Sequence, residues 1–167
     1  MLLQSVLRYL GVFALALTAG NASAQQLAAP YGEPIDGQTA KKVAAAALAE
    51  ARKNNWRMAA AIVDGSGELV YFEKVDGTQT ASNDIAIDKA RSSAAFKRPT
   101  KAFQDALAKG GIEMRYLGLR GVVPAEGGVP IVIGGKLVGA IGVSGGTGAQ
   151  DEQAAEAGVQ TVAPATR

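Results

Sequence analysis

Lys89, Arg91 and Arg98 place three cations within ten residues, beside Ile85 and Phe96 and just before the hydroxyl of Thr100. Positive charge next to apolar surface suits an anion that is itself amphipathic, because carboxylates take their strongest hydrogen bonds from cationic donors. A second candidate anion site is the loop Ser144-Gly145-Gly146-Thr147. It runs from an apolar strand into a helix start, where free backbone N–H groups converge and favour negative charge. The loop has an equally simple structural reading, in which Asp151 and Glu152 in the first helical turn already supply that charge. Asp88, Lys89 and Arg91 likewise fit either a ligand-facing surface or a solvated, salt-bridged one. The glycines do not form GxxxxGK[ST], and GxGxxG is absent at the first strand-to-helix junction, so no nucleotide-binding loop is indicated.

Other chemistry is excluded by composition. The 167 residues contain no cysteine and no histidine, which removes thiolate nucleophiles, iron–sulfur clusters, Cys-based zinc sites, the usual neutral-pH general base and every Ser-His-Asp arrangement. With 17 basic and 15 acidic residues, nothing in the charge balance draws the chain to nucleic acid.

Residues 1–24 read as a signal peptide: Arg8 forms a short positive region, Tyr9 to Ala19 an apolar run, and Ala22-Ser23-Ala24 a cleavage site. The mature chain then starts near Gln25 and lies in the periplasm or outside the cell, with no later segment apolar enough to span a membrane. Residues 25–35, with Pro30, Gly32 and Pro34, read as an extended lead-in, and residues 36–163 as one domain with a single core.

The elements that must position the candidates follow from periodicity and turn chemistry. Ala40, Val43, Ala44, Ala47, Leu48 and Ala51 mark an amphipathic helix from Thr39 to Asn54, capped by Asp36 and stopped at Asn54-Asn55. Arg57–Val63 and Glu68–Val75 form a hairpin about Asp64-Gly65-Ser66-Gly67, and the first strand, apolar on both alternating sets, should be central. Ser82–Phe96 is a helix with Ser82 as N-cap, and Lys101–Lys109 a shorter one capped by Thr100. Ile112 to Pro124 should hold an irregular segment and a short strand. Val129–Ile133 and Lys136–Val143 form a second hairpin about Gly134-Gly135, and Thr147 with Gln150 makes a capping box for a last helix from Ala149 to about Val162. The hairpins point to an α+β fold, an antiparallel sheet of about five strands flanked by helices. Small-residue helix faces at Ala44–Ala51 and Ala86–Ala94 would permit close contacts in a symmetric homo-oligomer.

Three separated blocks, AIVDGSGELVYFEKVDG (61–77), ASNDIAIDKARSSAAFKRPT (81–100) and GGVPIVIGGKLVGAIGVSGGT (127–147), followed by QDEQAAEAG, resemble the GlcG/HbpS family of haem-binding proteins, also found as the C-terminal domain of PduO-type proteins. The resemblance implies a profilin-like or PAS-like α-β-α sandwich, assembly into oligomers and, for some members, binding of haem or a corrinoid. It therefore implies an exported haem-binding protein, non-catalytic or weakly catalytic. On that reading Lys89, Arg91, Arg98 and Thr100 meet the propionates, and Phe96, Met114 and Tyr116 the macrocycle. With no histidine, iron would fall to tyrosine, methionine, lysine or a hydroxyl, or haem would be held through its propionates and apolar faces alone; Tyr116, Met114, Tyr71, Met58 and Tyr31 are the phenolic and thioether candidates. A lyase or isomerase acting on a small carboxylate, using the glycine loop with Lys89 or Asp84 for proton transfer, and a ligand-free sensory or structural module are the other readings.

Overall fold

The computed structural model describes residues 28–162. The expected signal peptide and the last residue of the expected domain lie outside the described residues. The chain order is α1 (Gly37–Lys53), β1 (Ala59–Asp64), β2 (Leu69–Lys74), α2 (Ser82–Phe96), α3 (Lys101–Lys109), a 3₁₀ helix (Gly111–Gly118), β3 (Gly128–Ile133), β4 (Lys136–Ser144) and α4 (Gly148–Gln160). The two hairpins join through their inner strands into one antiparallel sheet of order β2-β1-β4-β3.

The sheet has four strands rather than about five, because the segment expected to supply a short strand coils into the 3₁₀ helix instead. Gly110 and Gly111 at its start adopt positive φ, which breaks any extended run there.

β1 is central and buried along Ala59–Val63, as its two apolar sets require. Ala60 and Ile62 join Ile141, Val143 and the inner faces of α1 and α4 in the main core. Ala59, Ala61 and Val63 face the other way, toward Ala86, Ala90 and Ala94 of α2. The result is an α-β-α sandwich. α2 lies unusually close to the sheet because Gly142 has no Cβ: one there would run into the Ala86 carbonyl. The small-residue helix faces expected to build an oligomer are therefore consumed within the chain, since Ala44, Ala47, Ala51, Ala86, Ala90 and Ala94 are all fully buried in it.

Asp36 caps α1 by accepting from Gln38 N at 2.9 Å and Thr39 N at 2.8 Å. Asn55 takes the left-handed conformation beyond the helix end. The Thr147–Gln150 capping box opens α4, and Gly134-Gly135 turn with φ of 58° and 76°, as a two-residue hairpin demands. Neither Ser82 nor Thr100 caps with its side chain; Ser82 already lies inside α2, and Thr100 bonds elsewhere.

The lead-in docks on the start of β4 beyond the end of β1. Leu137 N donates to Pro30 O and Gly32 N to Leu137 O, both at 2.8 Å, and Ile35 N to Val138 O at 2.9 Å. Among the described residues no helix is long and apolar enough to cross a membrane.

Candidate functional site

The sequence-derived candidates separate into three groups. The first is internal. Lys89 is 3% exposed, and its Nζ donates to Asp151 Oδ2 at 2.7 Å and to Val143 O at 3.0 Å. The face of α2 that carries Lys89 meets the β4–α4 junction, so this cation neutralises a buried carboxylate and does not reach a ligand. Burial pushes the Asp151 carboxyl above its ordinary value, against the pull of the Lys89 ammonium and of the Gly146 and Gly145 N–H groups. Thr100 is also fully buried. Its hydroxyl donates to Ala125 O at 2.6 Å and accepts from Gly128 N at 2.9 Å, pinning β3 to the α2–α3 junction.

The glycine loop closes on itself in the same way. Gly146 N donates to Asp151 Oδ1 and Thr147 N to Gln150 Oε1, each at 2.9 Å, and Ser144 Oγ bonds Ser82 Oγ at 3.2 Å. Gly145, at φ 145°, has no room for a side chain, since a Cβ there would strike the Arg57 carbonyl. The acidic side chain at the helix start thus occupies the place an external anion would take.

The second group is an aromatic cluster. Phe96 meets Phe103 edge-on at 5.2 Å between centroids, Phe103 meets Tyr116 at 5.3 Å, and the Arg98 guanidinium lies 5.7 Å from the Phe103 ring. Arg98 also donates to Phe96 O at 3.2 Å. Met114, expected with them, is 47% exposed on the 3₁₀ helix.

The third group surrounds a cleft of about 570 Å³, lined by Tyr31, Gly32, Pro34, Gly65, Ser66 and Ala95. Three chain segments build it. The lead-in brings Tyr31, held by its backbone bridge to Leu137. The β1–β2 turn brings Gly65, where a Cβ would come within 3.1 Å of the Tyr31 ring. That turn is organised by Asp64, whose Oδ1 accepts from Ser66 N at 2.8 Å, Ser66 Oγ at 2.7 Å and Glu68 N at 3.0 Å. Partial burial raises the Asp64 carboxyl, but these donors together hold it below the ordinary value. The end of α2 brings Ala95, and the Tyr31 hydroxyl donates to Ala94 O at 3.1 Å.

Two cations flank this cleft. The Lys97 ammonium sits 3.9 Å above the Tyr31 ring centroid, carried there by the left-handed turn at Lys97 that ends α2. Arg91 Nε donates to Gly67 O at 3.2 Å, beside the turn that forms one wall. Of the residues singled out from sequence, Tyr31 lines the cleft and Arg91 bonds the turn beside it. Lys97 was overlooked because it follows the apparent helix face, and the lead-in because nothing local in its sequence shows what it packs on. A smaller cavity of about 280 Å³ lies between Arg52, Asn55, Trp56, Arg57 and Val75. Among the described residues there is no group of three or more His, Cys, Asp or Glu that could hold a metal ion.

The cleft fits a planar, largely apolar molecule with anionic substituents. Its volume lies within the roughly 300–1,000 Å³ of small-molecule sites, its lining is an aromatic ring, a proline, an alanine, two glycines and one serine, and Arg91 and Lys97 stand beside its walls. Haem has this chemistry, so the residues present fit it.

Comparison with known proteins gives one consistent result. Residues 35–160 match the family described as "Haem degrading protein HbpS-like". Protein GlcG of Escherichia coli K12 is 36% identical over 107 residues, covering 64% of this chain and 78% of GlcG. A double mutant of Streptomyces reticuli HbpS superposes with a TM-score of 0.72 at 29% identity, over 80% of this chain and 90% of the other. The protein solved as a PduOC:heme complex shares the fold, with a TM-score of 0.70 at 23% identity over 77% of this chain and 95% of that one.

Proposed function

This chain belongs to the HbpS-like family, and from that premise we propose that it is a haem-binding protein whose macrocycle site is the cleft around Tyr31. The single observation that carries the reading is the cleft of about 570 Å³ between the lead-in, the β1–β2 turn and α2, with Arg91 bonded to that turn at Gly67 and Lys97 over the Tyr31 ring. In this arrangement Tyr31, Pro34 and Ala95 supply apolar contact, while Arg91 and Lys97 meet the propionates. When bound, haem would supply an iron centre; the chain's own part is to exclude water from one macrocycle face and neutralise its acids.

The role proposed is binding rather than turnover. A chain with no histidine lacks the side chain whose ordinary pKa suits proton transfer near neutrality. The lyase or isomerase reading needs the glycine loop with Lys89 or Asp84, and of these the loop and Lys89 are bonded internally. The protein is proposed to act after export, in the periplasm or outside the cell, on the strength of the order of features in residues 1–24. It is further proposed to act as a homo-oligomer.

Titration of the mature chain with ferric haem tests the reading. A saturable Soret change is expected. Arg91→Ala and Lys97→Ala should each weaken affinity roughly tenfold, the loss of a charge-assisted hydrogen bond, while Arg98→Ala, on the aromatic cluster, leaves it unchanged. Equal affinity in all three variants would move the propionates away from the cleft.

A further inference from the structure

We infer that Tyr31 is the axial iron ligand, through its phenolate oxygen; the inference rests on the haem reading above. Proteins hold haem iron through His, Cys, Met or Tyr, and this sequence has no His or Cys. Four of the five Met and Tyr candidates among the described residues are placed against the role. Met58 is fully buried, its Cε packed under Gly146. The Tyr71 hydroxyl is turned to Glu73 Oε2, to which it donates at 3.0 Å, and Tyr71 lines neither of the two cavities. Tyr116 is packed edge-on against Phe103. Met114 is exposed on the 3₁₀ helix, and neither it nor Tyr116 lines either cavity.

Tyr31 alone meets the geometric conditions. It lines the larger cavity and is 48% exposed. Its position is fixed independently of any ligand: the backbone is bonded through the flanking Pro30 and Gly32 to Leu137, and the ring rests on Gly65. Its oxygen only donates, to Ala94 O at 3.1 Å and to Ala95 O at 3.4 Å, so the lone pairs are uncommitted. Lys97 Nζ lies over the ring, 3.9 Å from its centroid, and holds that face of the tyrosine in place. Ligation exchanges the phenol O–H bond for an oxygen–iron bond: the lone pair goes to ferric iron and the proton to water. No oxidant or reductant is consumed.

The test compares wild type with Tyr31→Phe, which keeps the ring, the backbone bridge and the contact with Lys97. Each is titrated with ferric haem and with metal-free protoporphyrin IX, and the haem complexes are read by resonance Raman for iron–phenolate modes. Expected are phenolate modes in wild type that vanish in Tyr31→Phe, a roughly tenfold or greater loss of haem affinity, and unchanged protoporphyrin affinity, because that macrocycle needs no ligand. Phenolate modes that persist in Tyr31→Phe, or haem affinity equal to wild type, would overturn the assignment and leave the haem reading standing. Failure of wild type to bind either macrocycle would overturn both.

Discussion

Lys89 shows how a residue of the right type can be held for a different purpose. Its ammonium and the Asp151 carboxylate are both almost fully buried and 2.7 Å apart. Such a pair contributes little net stability against an apolar replacement, yet removing one partner strands the other charge. Lys89→Ala should therefore destabilise the domain by about 3–5 kcal/mol at neutral pH, with haem affinity unchanged in the fraction that remains folded. The pH dependence has a definite sign. The folded value of Asp151 is raised above 3.8, so its contribution favours the folded state below that pH and is lost as pH rises through the folded value. Without Lys89 the carboxyl is raised further, so the stability gap between wild type and Lys89→Ala should narrow on acidification toward pH 3.8. Denaturant melts at several pH values measure this; a gap independent of pH would mean that the two groups are not coupled.

At the scale of elements, legibility followed the range of the interaction. The capping box at Thr147, the cap at Asp36, both hairpin turns and the central position of β1 could be read because each is set by residues a few positions apart. The inward aim of Lys89 could not, since its partner is 62 residues away and a helical period says nothing about which loop will cover a face. The Tyr31 cleft was missed for the same reason, as its walls come from three segments that only the sandwich brings together. The 3₁₀ helix in place of a strand reflects the glycines at its start, whose positive φ outweighs the apolar content of Ile112, Met114 and Leu117. The contact of α2 with β4 is the element-level feature most open to test. Gly142→Ala would drive a methyl into the Ala86 carbonyl, and overpacking of this kind costs about 1–3 kcal/mol or more. Because Ala94 and Ala95 belong to the displaced helix, haem affinity should fall with stability; a variant as stable as wild type would show that α2 is free to move.

At the scale of the whole molecule, the two most exposed large apolar side chains among the described residues lie on the 3₁₀ helix. Ile112 is 74% exposed, Leu117 61%, Met114 47% and Leu119 45%. Apolar side chains this exposed and gathered in one short segment are a candidate interaction surface. Glu113 and Arg115 of the same segment pair with each other at 3.7 Å, which leaves its apolar side chains as the surface a copy could cover across a two-fold axis. A second copy of this chain is accordingly the proposed occupant, in place of the alanine-rich faces already buried. Light scattering should report an oligomer for the wild type and a smaller species for Ile112→Asp combined with Leu117→Asp; an unchanged mass would place the interface elsewhere. The central claim concerns the cleft, and filling it is the most direct test. Ala95 forms part of its wall and is exposed, so Ala95→Trp should occupy the macrocycle's place without disturbing the core. Ferric haem titration of Ala95→Trp, beside a thermal melt equal to that of wild type, is expected to show no saturable Soret change, whereas wild-type affinity in this variant would contradict haem binding at the Tyr31 cleft.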